Sequence, residues 1–286
     1  MNTEEIRDQI RNDYAKVATT NGGCCGGACG VTDSIDAGDL AEKIGYTKEE
    51  LEALPVSANM GLSCGNPTVI AALKEGETIL DLGSGGGFDI FLAGPKVGKT
   101  GRAIGVDMTH EMLTKARKNI GQYRDSTGLD NVEFRLGEIE YLPVADESVD
   151  VIISNCVLNL SMDKAQVWRE IARVLKPGGR VALSDIALLK PLPNAVKDII
   201  HSWAGCVAGA ELVEDTRQQM IDAGLSNIEL TPKSDYVDAL VAADDELYQQ
   251  IASHFQAGES AGDVITSLDI LATKPGGDCC GSACCS

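Results

Sequence analysis

From residue 78 onward, short apolar runs alternate with stretches whose apolar positions recur at helical spacing. TILDL (Thr78–Leu82) predicts a buried strand, and a glycine-rich turn after it leads into a helix in FDIFLAGPKVG. RAIGVDM predicts a second strand, followed by the helix THEMLTKARKNI, and NVEFRLG predicts a third strand. VDVIISNCV predicts a fourth, almost entirely apolar, as a strand covered on both faces should be. The helix KAQVWREIARVL, the turn KPGGR and a fifth strand, VALSDIAL, follow. AGLSNIELTP reads as a helix end and a sixth strand, and ESAGDVITSLDILATKP contains a seventh. Residues 194–223, between strands five and six, read as a helical insertion. This alternation predicts an α/β fold, a doubly wound parallel sheet with helices on both faces.

The turn after the first strand carries the first chemical message. Asp81-Leu82-Gly83-Ser84-Gly85-Gly86-Gly87 joins strand to helix, so bare backbone can approach a ligand closely. Asp107 ends the second strand, where an acid is suited to hold ribose hydroxyls. Together, LDLGSGGG, GVDM, RLGEIEYLP and VLKPGGR, in this order and spacing, resemble the class I S-adenosylmethionine-dependent methyltransferases from about residue 66 to 190. The resemblance implies a Rossmann-like sheet of seven strands, the last antiparallel and inserted at the edge. It also implies S-adenosylmethionine as cofactor, with Asp81, Gly83, Ser84, Gly85, Asp107 and Met108 as binding residues and Glu138 with Ile139 beside the adenine.

Charge narrows the substrate. The net charge is -19, and no Lys/Arg-rich run could track a phosphate backbone, so a nucleic-acid substrate is not expected. The opening MNTEEIRDQI is acidic without an apolar stretch, and no run approaches the roughly 18 apolar residues of a membrane span. The expectation is a cytoplasmic protein with no membrane partner, in a compartment that keeps thiols reduced. There, ten cysteines suggest metal, metalloid or redox chemistry.

In doubly wound sheets, ligands sit at the carboxyl ends of the strands near the switch point. Cys156, just after strand four, stands where the methyl group would arrive. Cys64, in GLSCGNP, belongs to a segment leading toward the same edge, and Cys206, in HSWAGCVAGA, lies in the helical insertion. SNCVLNLSMDK, WAGCVAGA and GLSCGNP look like the signature segments of the arsenite S-adenosylmethionine methyltransferases, a likeness that extends over nearly the whole chain. That resemblance implies that Cys64, Cys156 and Cys206 bind As(III) and that an N-terminal cysteine, Cys24 or Cys25, joins the redox cycle. It also makes Asn155 a cofactor-side residue. The implied substrates are arsenite and methylated arsenicals, with a thioredoxin-like external dithiol as reductant.

The expected organisation is a cysteine-rich N-terminal lid (1–65), a cofactor domain (66–190), an arsenic-binding helical insertion with strands six and seven (191–273), and a cysteine-rich tail (274–286). The tail cysteines Cys279, Cys280, Cys284 and Cys285 lack the spacing of a zinc site and are expected to capture arsenite for delivery inward. A lone pair on thiolate-bound arsenic needs no general base, and the three histidines, His110, His201 and His254, do not fall beside the strand-four motif. Two rival readings stand beside this one. A methyltransferase acting on quinones or sterols would not need Cys156 or Cys206, and a thiol-rich sequestering protein would have no use for Asp81, Asp107 and the glycine loop.

Overall fold

The computed structural model describes residues 3–19, 38, 41–42, 46–52, 54–55, 58–60, 65–192, 196, 207–233, 253–254 and 260–276. Among them, one sheet contains β1 (Thr78–Leu82), β2 (Arg102–Asp107), β3 (Val132–Leu136), β4 (Val149–Asn155), β5 (Leu175–Leu188), β6 (Ser226–Lys233) and β7 (Ile265–Thr273). The strand order is β3-β2-β1-β4-β5-β7-β6. β1 to β5 pair in parallel, and β7 runs antiparallel to both of its neighbours, β5 and β6. The antiparallel strand therefore lies one place inside the edge. The helices are α1 (Thr3–Thr19), α2 (Lys48–Glu52), α3 (Pro67–Ile70), α4 (Phe88–Val97), α5 (His110–Thr127), α6 (Lys164–Val174) and α7 (Val213–Asp222).

The period of two along each strand divides the core into two layers. Leu80, Leu82, Ile104, Val106 and Ile152 face Trp168, Ile171 and Val174 of α6 and Met220 of α7. Ile79, Ala103, Val151, Ile153 and Ala182 face Phe91 of α4 and Leu113, Ala116 and Tyr123 of α5. Both faces are covered, which is why these strands read as continuous apolar runs. On the outer side, β6 exposes alternate positions and carries Pro232 and Lys233, residues that discourage further pairing at an edge.

Three local features depart from the sequence expectation. α5 runs on through Gly121 to Thr127, and the left-handed stop comes at Gly128, φ 69°. β5 begins at Leu175, and KPGG is a bulge in the strand: Leu175 pairs Val149 whereas Arg180 pairs Val151. Gly178, φ 81°, donates to the Lys274 carbonyl at 3.0 Å, and Lys274 N–H returns a bond to Gly179 at 2.8 Å. Lastly, the acidic N-terminal stretch forms α1, which packs on α5. No helix among the described residues is long and apolar enough to cross a membrane.

Trp168, 1% exposed, is the largest side chain buried between α6 and the sheet. Trp168→Ala is expected to lower stability by about 3–5 kcal/mol, read as a lower urea midpoint at unchanged cofactor stoichiometry.

Candidate active site

β1 and β4 are neighbours, and the chain order reverses between them, so a crevice opens at their carboxyl ends. The loop after β1 takes left-handed backbone at Gly83 (φ 69°), Gly85 (φ 49°) and Gly87 (φ 90°), the last opening α4. A Cβ on Gly83 would stand 2.4 Å from Val157 Cγ2, so the loop packs directly on the segment after β4. Asp107 fixes the loop from the other side. Its Oδ2 accepts from Gly85 N–H at 2.9 Å and its Oδ1 from Thr109 N–H at 2.7 Å.

At the end of β4, Cys156 is 7% exposed and has a φ of 56°, a conformation few side-chain-bearing residues adopt. Its N–H donates to the Ser184 carbonyl at 2.9 Å. The following turn, Leu158–Leu160, is anchored by Asn159, whose Nδ2 donates to Asp185 Oδ1 at 2.9 Å and to the Ile186 carbonyl at 2.6 Å. Cys156 is disulfide-bonded. It is the one cysteine among the described residues, so its partner lies outside them.

These pieces enclose an open cleft of about 750 Å³, counting the solvent at its mouth. Gly83, Gly85, Asp107, Met108, Ile139, Asn155 and Cys156 line it, together with Glu140 and Val157. α1 supplies another wall through Arg7 and Tyr14. Arg11 holds Glu138 at 3.1 Å, and Arg7 stands 3.4 Å from Glu138 and 3.9 Å from Glu140. Of the remaining expected residues, Glu138 is occupied by these ion pairs, and Ser84 turns its hydroxyl under the loop toward Gly105. Asp81 sits buried in β1 beneath the loop. Cys24, Cys25, Cys64, Cys206, Cys279, Cys280, Cys284, Cys285 and His201 lie outside the described residues. His110 is the first residue of α5, and His254 is exposed beside Ser253.

The sequence reading passed over Arg7, Tyr14, Glu140 and Asp89. Asp89 carried a local signal, one place into the helix that opens after the last loop glycine. Arg7 carried none, since only the docking of α1 brings it to the cleft. Among the described residues, no group of three or more His, Cys, Asp or Glu could hold a metal ion.

The electrostatics are acidic. Burial, then the carboxylates of Asp89 and Asp107, push Asp81 well above the usual carboxylate range. Burial raises Asp107 too, opposed by the N–H donors of Thr109 and Gly85. Asp89 is pushed up to about 6 by burial, against donors on Tyr46 and Asn155. Asp185 likewise is pushed up to about 6 by burial.

A bare glycine cradle, an acid whose oxygens each keep a lone pair for a hydroxyl, apolar flanks from Met108 and Ile139, and negative surroundings suit a sulfonium nucleoside. Fold and site together define a class I S-adenosylmethionine-dependent methyltransferase, and residues 73–254 match the model of the methyltransferase domain. The chain is 43% identical over 284 residues to an arsenite methyltransferase of Halobacterium salinarum, covering 96% of this chain and 68% of that one. Against the human arsenite methyltransferase, identity is 33% over 211 residues, covering 72% of this chain and 54% of the relative. An arsenic (III) S-adenosylmethionine methyltransferase from Chlamydomonas reinhardtii superposes with a TM-score of 0.61 at 30% identity, over 82% of this chain and 73% of that one. The chain belongs to the arsenite methyltransferase family. It spans about two thirds of the Halobacterium relative and just over half of the human one.

Two predictions follow from this geometry. Asp107→Ala removes both the loop anchor at Gly85 and a carboxyl that lines the cleft, and is expected to weaken S-adenosylmethionine binding about 10- to 100-fold by calorimetry. For Asp185, burial keeps the proton in the folded state up to about pH 6, above the ordinary carboxylate range. The folded state therefore binds more protons within that window, and stability falls as pH rises through it. Asp185→Asn is expected to lose less stability than the parent between about pH 4 and pH 7 in urea titrations.

Proposed function

We propose that this chain methylates trivalent arsenic, with arsenite and its methylated products as substrates. The observation that carries the reading is Cys156: a sulfur in the wall of the cofactor cleft, close enough to a second cysteine to be joined to it. Family resemblance supplies Cys64 and Cys206 as the other arsenic ligands.

When bound, S-adenosylmethionine supplies an electrophilic methyl on a sulfonium sulfur. Gly83, Gly85 and Gly87 give it bare backbone, Asp107 accepts from its ribose hydroxyls, and Met108, Ile139 and Asn155 complete its walls. On the substrate side, trivalent arsenic is soft and exchanges hydroxide for thiolate, as soft metal ions do. Three thiolates leave it pyramidal, with its lone pair directed away from the sulfurs. Cys156, next to the glycine loop, turns that lone pair toward the methyl, and positioning lowers the barrier with no proton to remove. With the cofactor held there, transfer would form an As–C bond as the methyl–sulfonium bond broke, its electron pair staying on the departing sulfur.

Arsenic is thereby oxidised from the trivalent to the pentavalent state. Two thiols of the chain return two electrons by joining as a disulfide, which restores the trivalent state. Cys24 or Cys25 takes part in this exchange, and an external dithiol such as thioredoxin reopens the disulfide while becoming oxidised itself. The N-terminal 65 residues serve as a lid, and the segment around Cys206 forms part of the arsenic pocket. Cys279, Cys280, Cys284 and Cys285 act as an accessory capture site. A cycle that depends on open thiols belongs in the reducing cytoplasm.

The test is incubation of the full chain with arsenite, S-adenosylmethionine and a dithiol, followed by arsenic speciation by mass spectrometry. Methylated arsenicals are expected, and Cys156→Ser should lower their yield on the order of 100-fold while calorimetry still detects cofactor binding. Undiminished turnover of Cys156→Ser would overturn the thiolate mechanism.

A further inference from the structure

Behind the cleft, four separate segments meet at one buried point. Tyr46, 3% exposed, is held edge-on against Phe88, with ring centroids 4.8 Å apart. Its hydroxyl stands 2.7 Å from Asp89 Oδ1 and 3.2 Å from the Gly65 carbonyl, so one hydrogen serves two acceptors. Asn155, the last residue of β4, donates from Nδ2 to the same Gly65 carbonyl at 2.8 Å. The Nδ2 group also lies 3.5 Å from Asp89 Oδ2 and 3.4 Å from the Tyr46 oxygen. Gly65 is thus gripped by donors from two elements, and Asp89 aligns both donors.

The opposite side of Gly65 gives a second, independent observation. A Cβ there would stand 2.4 Å from Ser184 Oγ and 2.5 Å from Ser184 Cβ. Ser184 is itself fixed, since its hydroxyl donates to Asp269 Oδ1 at 2.9 Å. Its carbonyl accepts the Cys156 N–H at 2.9 Å. One serine therefore touches Gly65 with its side chain and Cys156 with its backbone, while Asn155 touches Gly65 with its amide and precedes Cys156 in the chain. Two routes of directional contact tie the backbone at Gly65 to the backbone at Cys156. In the sequence, Gly65 follows a cysteine.

We propose that Tyr46, Asp89 and Asn155 are positioning residues that clamp the Gly65 backbone against the end of β4 and so hold Cys156 in the geometry that its disulfide, and in turn its bond to arsenic, requires. The arsenic clause rests on the function proposed above; the thiol clause does not. The clamp works by geometry. A carbonyl held by two donors cannot drift, and groups one shell away from soft-atom ligands typically change affinity by about 10- to 100-fold when removed. A buried carboxyl such as Asp89 contributes direction that an apolar contact of the same size could not give.

The experiment uses the full chain as the parent and as Tyr46→Phe, Gly65→Ala and Asp89→Asn. Each is equilibrated in dithiothreitol buffers of defined ratio, trapped by alkylation, and scored by mass spectrometry for the fraction of Cys156 in disulfide. Tyr46→Phe removes one hydroxyl, and Gly65→Ala forces the backbone off Ser184. Each is expected to lower the equilibrium constant for Cys156 pairing at least about tenfold, with S-adenosylmethionine affinity held within about twofold. Asp89→Asn keeps an acceptor for the Tyr46 hydroxyl and is expected to retain most of the parent constant. Unchanged pairing in both Tyr46→Phe and Gly65→Ala overturns the proposal. So does a parallel loss of pairing and cofactor affinity, which marks a merely structural role. If the expected pairing pattern is found but the parent leaves arsenite unmethylated, the clamp stands and the arsenic reading falls.

Discussion

The contact between Gly83 and Val157 is the constraint on which the chemistry depends. No side chain fits at Gly83, because a Cβ would stand 2.4 Å from Val157 Cγ2, and the φ of 69° is itself a glycine conformation. Val157 follows Cys156 directly. The glycine loop and the loop that carries the sulfur therefore touch, and both line one cleft. That closeness follows from topology: β1 and β4 are adjacent and parallel, Leu82 opposite Ser154, and both loops leave the sheet at the same edge. Asp107 adds the third side by bonding the loop at Gly85 from the end of β2.

The electrostatics fit the same division of labour. Asp81, Asp89 and Asp107 are all buried around the loop and all are pushed above the usual carboxylate range. Burial makes each of these carboxyls costly to ionise, and a cation brought into the cleft, such as a sulfonium, would favour their charged forms. The chain as a whole, at -19, would repel an anionic substrate. Arsenite at neutral pH is an uncharged hydroxide, so in the proposed reaction it meets no such barrier. α1 brings one cation, Arg7, to the cleft wall, and Arg7 and Arg11 are engaged with Glu138 and Glu140. The cleft is closed on that side by ion pairs that salt can weaken, whereas the floor is closed by packing.

Much of this was legible in the residues because it is written in short-range signals. The largely apolar runs TILDL and VDVIISN gave β1 and β4 to within a residue or two, since both faces of these strands are covered. The glycine loop and Asp107 were legible because turn, cradle and acid have fixed offsets. The KPGG bulge was not, because a strand that loops out and resumes looks locally like a turn; only the return bonds with Lys274 reveal it. Arg7 and Tyr46 were invisible for a different reason. Each acts through contacts more than forty residues away, Tyr46 with Asp89 and Arg7 with Glu138, and no periodicity encodes a partner at that distance.

The state of Cys156 bears on the order of events. A sulfur in a disulfide has no thiolate to offer a soft atom, so in the proposed cycle Cys156 must be reduced before it can hold arsenic. In the proposed cycle a reductant would then have two tasks: to reset the enzyme after transfer, and to open the site before the first substrate enters. The left-handed backbone at Cys156, φ 56°, persists because Val157 is wedged on Gly83 and the Cys156 N–H is tied to Ser184. Neither contact involves the sulfur. Opening the disulfide breaks neither contact, and the residue that carries the sulfur lines the cleft. A site built this way would need little rearrangement between reduction and capture, which is what repeated methylation of one arsenic atom requires.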